Sequence, residues 1–181
     1  MSFGCTLILP DGVLLAADGR RTLPFVKNST ESDDVRKIRL IADGRAALIE
    51  FGVTQASELA SRDIANIWPD VSDMKAFRDM LTNTVSRSWE QFVLSLADDV
   101  DRSHPAMRMG LMVAGILDGR PFTAGILHGF DAWDCQISTE CGQLMTLGGE
   151  QHNMRSNVIS DFQKVLNPNP YSLEQGPINS S

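Results

Sequence analysis

Apolar residues fall in two rhythms along this chain. Up to residue 51, and again from residue 107, they form short runs broken by turn sequences, the mark of strands. Phe3 to Leu9 and Val13 to Ala17 flank Pro10-Asp11-Gly12, where Pro fixes φ and Gly tolerates positive φ, so the chain is predicted to open with a β-hairpin. A polar stretch from Arg20 to Asp34 follows. Lys37 to Ala42 and Ala46 to Phe51 then flank Asp43-Gly44, the dipeptide preferred in tight turns, and predict a second hairpin.

Between these regions the period changes to three and four. Thr54 is placed to cap a helix carrying Ala56, Ala60, Ile64, Ile67 and Trp68, with Pro69 limiting its end. From Ser72 onward, Met74, Phe77, Leu81, Val85, Trp89, Phe92 and Leu96 form one stripe on a helix of about seven turns. The stripe reads as a face packed on a sheet and not as a cofactor box. Strands return at Met109 to Leu117, Phe122 to His128, Ala132 to Ser138 and Gln143 to Thr146, with turns at Asp118-Gly119, Gly129 to Asp131 and Glu140 to Gly142. A third helix is expected from Glu150, with Met154, Val158, Phe162 and Val165 on one face, stopped by Asn167-Pro168-Asn169-Pro170. The order of strands, two long helices, strands and a helix predicts an α+β fold with antiparallel sheets packed face to face and helices outside.

The 181 residues suit one domain, read here as 1–181, with 167–181 a loop or an incomplete carboxyl-terminal segment. A net charge of -7 argues against a nucleic-acid partner, whose phosphates attract Lys and Arg. Cys5, Cys135 and Cys141 are odd in number and contain no CxxC pair, so neither a disulfide framework nor a zinc site is expected. The longest apolar run, Met109 to Leu117, is far shorter than the ~20 residues of a membrane span. The first residues lack a secretory signal, and the expectation is a cytoplasmic protein without a membrane partner.

Few residues carry chemistry by motif. There is no HExxH, GxSxG, Walker loop or GxGxxG. Asp98, Asp99 and Asp101 lie beside Arg102 with no His or Glu cluster nearby and read as a solvated loop, so no metal and no cofactor are expected. The histidines His104, His128 and His152 are scattered, and His128 falls in a strand pattern.

The informative segment is Asp11 to Asp18, DGVLLAAD, followed by Gly19-Arg20-Arg21-Thr22, with Arg36-Lys37-Ile38 before the third strand and Phe51-Gly52 closing the fourth. In order and spacing these resemble the proteasome β-subunit family of N-terminal-nucleophile hydrolases. The likeness covers roughly residues 2 to 165 and is densest up to Gly52. It implies a four-layer αββα sandwich and a nucleophile at the processed amino terminus. Counting back from Asp18 over the family's spacing without a gap puts that nucleophile at Ser2, exposed when Met1 is removed.

On that resemblance the site is Ser2, Asp18, Lys37 and Gly52. A Ser hydroxyl needs a base, and the free α-amine of the same residue can serve. Its ordinary pKa near ~8 leaves most of it protonated at pH 7, and a neighbouring ammonium, assigned to Lys37, shifts it toward the neutral form. Asp18 holds Lys37, and the Gly52 backbone N–H faces the oxyanion. The expected function is cleavage of peptide or amide bonds. The alternatives are a non-catalytic proteasome-like subunit with an assembly or binding role, and a small-molecule amidase. A rival nucleophile is Cys5, because Gly4-Cys5-Thr6-Leu7 resembles the junction at which family precursors cut themselves.

The chain departs from the family in four places. Ser replaces Thr, Gly148-Gly149-Glu150 lacks the usual hydroxyl, the loop from Arg20 to Arg36 is long and acidic in its second half, and the chain stops at Ser181, before the family's fourth helix. Met80, Val93 and Leu94 fall off the stripe of the second long helix and are expected to form an exposed patch. With the resemblance, this predicts a homo-oligomeric ring, and an ATP-dependent unfoldase as partner stays open.

Overall fold

The computed structural model describes residues 3–18, 37–68, 71, 73–98, 100, 107–128 and 133–148. All lie in one compact unit that ends at Gly148. The third helix expected from Glu150, the loop from Arg20 to Arg36 and the Gly129 to Asp131 turn fall outside the described residues. The strands are β1 (Phe3–Leu9), β2 (Gly12–Ala17), β3 (Ile38–Ile41), β4 (Ala46–Gly52), β5 (Met109–Leu117), β6 (Arg120–His128), β7 (Trp133–Ser138) and β8 (Leu144–Gly148). They form two antiparallel sheets, a small one in the order β2-β1-β8 and a larger one in the order β3-β4-β5-β6-β7.

Two hairpins close differently from one another. Leu117 pairs with Arg120, so Asp118 and Gly119, with φ of 51° and 69°, form the two-residue turn that the right-handed twist of paired strands favours. The β3–β4 connection is longer than the predicted Asp43-Gly44 turn. Ile41 pairs with Ala46, leaving four residues between, and Ala42, Asp43 and Gly44 all have positive φ. Arg45 stabilises this loop by donating both its amide and its Nε to the Ala42 carbonyl, at 3.1 and 3.2 Å. The Arg45 carbonyl in turn accepts from the Ile116 amide at 2.9 Å, which ties the loop to β5.

Helix α1 spans Thr54–Ile67 and helix α2 spans Met74–Leu94. Thr54 is the first helical residue of α1 and not its cap. The cap position falls on Val53, whose carbonyl accepts from both the amide and the hydroxyl of Ser57, each at 3.1 Å. In α2 the cap is Asp73, whose carboxylate accepts from the Ala76 amide at 2.9 Å and satisfies one of the free first-turn donors. The helix ends at Leu94, about six turns long, so Leu96 packs against the core from beyond it.

Both helices cover one face of the larger sheet. Period-two alternation sends Leu48, Leu111, Val113, Phe122, Ala124 and Ile126 to that side, where they meet Ala56, Ala60, Ile64, Phe77, Leu81 and Val85. Trp68, Phe77 and Phe122 form an aromatic trio with ring centroids 4.9 to 5.9 Å apart. The expected exposed patch on α2 does not form. Met80 and Val93 pack against this core and only Leu94, 84% exposed, faces water. The reason is the width of the buried arc. Thr84 and Ser88 are buried beside the apolar stripe, because α2 packs on α1 as well as on the sheet.

The other face of the larger sheet meets the small sheet. Ile49, Phe51 and Met112 pack against Leu15, Ala17, Met145 and Leu147, and a buried hydrogen bond joins the hydroxyls of Thr6 and Thr123 across the interface. No helix among the described residues is long and apolar enough to cross a membrane.

Candidate active site

The β1–β2 register pairs Gly4 with Ala17 and so carries the next residues, Phe3 and Asp18, opposite each other. The Asp18 amide donates to the Phe3 carbonyl at 3.0 Å, and the Phe3 amide donates to Asp18 Oδ1 at 2.9 Å. That same oxygen accepts from Lys37 Nζ at 2.8 Å. One carboxylate oxygen thus links the start of β1, the end of β2 and the start of β3. The Lys37 side chain is 6% exposed and that of Asp18 is 32% exposed, so their attraction is screened less than that of a surface pair.

Gly52 closes β4 and leads through Val53 into α1. Its φ is +75°, and a Cβ placed there would lie 2.0 Å from the Arg108 carbonyl oxygen. Both facts exclude a side chain. The same carbonyl accepts from the Val53 amide at 2.8 Å, which pins the turn between strand and helix. A Cβ on Gly4 would stand 2.7 Å from the Phe51 ring, so the beginning of β1 and the end of β4 pack directly together. Phe3, Asp18, Lys37 and the Phe51-Gly52 corner therefore gather at one end of the two sheets.

Of the four residues expected at the site, the structure joins Asp18 to Lys37 by a direct contact and gives Gly52 a conformation open only to glycine. Ser2 lies outside the described residues. Cys5 is 3% exposed in the middle of β1, paired with Ala16 on one side and Thr146 on the other. Burial pushes its thiol above the ordinary value, against a smaller opposing hydrogen bond with the Ala16 backbone. These are the surroundings of a core cysteine and not of a reactive thiolate. His128 is the last residue of β6, two strands across the larger sheet from Gly52, its ring 4.4 Å from that of Trp89, and burial holds its imidazole below 6.5. Among the described residues no group of His, Cys, Asp and Glu could hold a metal ion.

One feature near this end escaped the reading by motif. Arg39 Nη2 stands 3.3 Å from Glu50 Oε1, an ion pair between β3 and β4. Two charged residues on the apolar, helix-facing side of a hairpin interrupt the alternation, and that interruption was the available signal.

No protein-family model and no curated protein matches the chain. Solved structures do. Anbu, the ancestral beta-subunit from Yersinia bercovieri, superposes with a TM-score of 0.57 at 14% identity over 83% of this chain. The chain spans 62% of that protein's length. The Anbu complex from Pseudomonas aeruginosa, solved as a helical assembly, gives 0.60 at 14% identity, covering 90% of this chain and 72% of that one. Eukaryotic HslV from Trypanosoma brucei gives 0.51 at 14% identity, covering 88% and 79%. The chain thus shares the fold of proteasome-like N-terminal-nucleophile proteins, and at this identity the likeness speaks for the fold alone.

Proposed function

We propose, from this fold and from the contacts of Asp18, that the chain is an N-terminal-nucleophile hydrolase acting on peptide or amide bonds. With Met1 removed, the Ser2 hydroxyl attacks the carbonyl carbon and its own α-amine takes the proton. The Gly52 N–H faces the oxyanion, the amine returns the proton to the leaving nitrogen, and water releases the acyl group from Ser2. Lys37 supplies the positive charge that favours a neutral amine, and Asp18 positions Lys37.

The observation that carries this reading is the shared oxygen of Asp18. It binds the amide that follows Ser2 and the Lys37 ammonium at once, which is the arrangement needed if Lys37 acts on the residue preceding Phe3. A plain surface ion pair has no reason to include that amide or to bury its ammonium almost wholly.

The four-layer sandwich belongs to the same proposal. Thr6 and Ile8 face the larger sheet, while Cys5 and Leu7, on the opposite face of β1, are buried too. That burial favours a further layer over the small sheet. A homo-oligomer is also proposed, resting on the helical assembly of the Pseudomonas aeruginosa Anbu complex and no longer on a patch of α2. A cytoplasmic location is part of the same proposal, since three free cysteines suit a reducing compartment.

Intact-mass measurement and a turnover assay test the hydrolase reading together. The purified protein is expected to lack Met1, and Ser2→Ala and Lys37→Ala are each expected to lower peptide turnover by at least about a hundredfold. Retained Met1, or equal turnover by Ser2→Ala and the parent, overturns the assignment of Ser2. Turnover lost in Cys5→Ala but kept in Ser2→Ala transfers the role to Cys5. A correctly processed protein that hydrolyses no peptide or amide substrate would be the non-catalytic subunit.

A further inference from the structure

A groove runs between the edge strand β3 and helix α1, lined by Arg39 from the strand and by Gln55, Glu58, Leu59 and Arg62 from the helix. The four helix residues fall at i, i+3, i+4 and i+7, a single face of α1. Arg39 pairs across the hairpin with Leu48, a residue of the core beneath the helices, so its side chain leaves the sheet on the same side. Glu50, two residues along β4 from Leu48, shares that face.

Glu50 is nine-tenths buried, with a side chain 10% exposed, whereas Arg39 is 47% exposed. Arg39 approaches Glu50 Oε1 to 3.3 Å, yet that oxygen accepts no hydrogen bond. A buried carboxylate is thus countered by a half-solvated guanidinium that leaves its Oε1 without a hydrogen bond. The strand and helix that line the groove begin within two or three residues of the candidate site. Lys37 lies two residues before Arg39, and Gly52 lies two after Glu50 and three before Gln55.

We propose that this groove takes a cationic side chain of the substrate, a lysine or arginine, and that Arg39 is its internal stand-in; the proposal rests on the hydrolase reading above. An incoming ammonium or guanidinium can replace Arg39 at Glu50 without changing the buried charge, while Arg39, already half in water, completes its move into solvent. An acidic side chain would bring another carboxylate against Glu50 and Glu58. An apolar one would cover the ion pair and give Glu50 no better donor. Arg62, the groove's other cation, lies about two turns down α1 from Gln55 and pairs with Asp63 at 3.6 Å. The net charge of -7 adds a weak, salt-screened attraction for cations.

Three fluorogenic peptides that differ only in carrying Arg, Leu or Glu on the acyl side of the cleaved bond test this. Their dye-labelled, uncleavable counterparts are titrated onto Ser2→Ala by fluorescence polarisation. We expect kcat/KM and affinity to rank Arg over Leu over Glu, by roughly tenfold per step. Glu50→Gln should lower the Arg peptide about tenfold and so narrow or erase its lead over the Leu peptide, Arg39→Ala should raise the Arg peptide, and Glu58→Gln, at an exposed position, should give a smaller loss of the Arg preference. A preference for Glu or Leu, or a ranking indifferent to both Glu50→Gln and Glu58→Gln, overturns the proposal. The binding arm needs no turnover. If no peptide is cleaved yet Arg peptides bind Ser2→Ala in a Glu50-dependent way, the hydrolase reading fails and the groove stands; cleavage without that ranking removes the groove alone.

Discussion

The larger sheet is filled differently on its two faces. On the helix side large side chains do the work, with Phe77, Phe122, Leu81 and Ile64 wholly buried and three aromatic rings in mutual contact. On the side of the small sheet the backbones come closer. A Cβ on Gly110 would lie 3.0 Å from Leu147, and one on Gly125 3.0 Å from Met145. The Thr6–Thr123 hydroxyl pair sits between these sheets. A helix layer can shift around a change of volume, because its contacts are side chain on side chain. Where a side chain of one sheet presses on the other's backbone, any added atom alters the sheet spacing, and with it the end where Phe3, Asp18 and Lys37 meet. The first face is expected to supply most of the stability, and the second to set where Phe3, Asp18 and Lys37 meet.

The strongest test of that division removes Phe122. Phe122→Ala is expected to cost about 3 to 5 kcal/mol by denaturant titration, while the proposed peptide turnover, per folded molecule, stays near that of the parent. A loss below about 1 kcal/mol would mean that the helix side does not dominate stability.

Gly4→Ala should behave in the opposite way. The added methyl meets the Phe51 ring and is expected to cost about 1 to 3 kcal/mol as overpacking, less than Phe122→Ala. Its turnover should fall further than that of Phe122→Ala, because β1 moves away from the β4 corner. Equal turnover in the two variants would show that the sheet interface does not position the site.

Smaller again is the effect of Thr6→Val, which deprives the Thr123 hydroxyl of its short partner and leaves it a contact of 4.0 Å with the Met145 sulfur. About 1 to 2 kcal/mol should be lost, and Thr6→Val with Thr123→Val together should recover most of it, since two apolar groups of matching shape leave nothing unsatisfied. Strict additivity in that cycle would remove the hydroxyl pair from the account of the interface.

The smallest expected effect is a pH dependence at the rim of the helix side, where His128 stacks near Trp89. Burial lowers its folded pKa below 6.5, so the unfolded chain binds the proton more readily. The contribution of this group is level above pH 6.5 and falls as the pH drops below it toward the folded value. Thermal melts of His128→Gln between pH 7 and 5 should show a shallower decline than the parent, and identical slopes would detach His128 from the acid response.

Much of this was legible from residues alone, though unevenly. The stripe from Met74 to Phe92 located α2 because a helix facing an apolar layer must repeat every three to four residues. The spacing around DGVLLAAD pointed to Asp18, Lys37 and Gly52 through resemblance, yet the contact between Asp18 and Lys37 spans nineteen positions in the chain, and local pattern is silent about it. Asp43-Gly44 suggested a two-residue turn, whereas the Arg45 bonds to Ala42 made a longer loop. Met80 and Val93 looked exposed because a stripe describes one contact surface, while α2 has two.

By itself, then, the sequence determined where most of the described strands and both described helices lie and which turns join several of them, because these follow from side-chain period and backbone sterics over a few residues. Tertiary structure alone decided that β8 leaves the larger sheet to pair with β1, that one oxygen of Asp18 serves both Phe3 and Lys37, and that Arg39 and Glu50 share a groove with α1. Each of these depends on which elements pack together, a choice made by the whole apolar surface at once and not by any local run of residues.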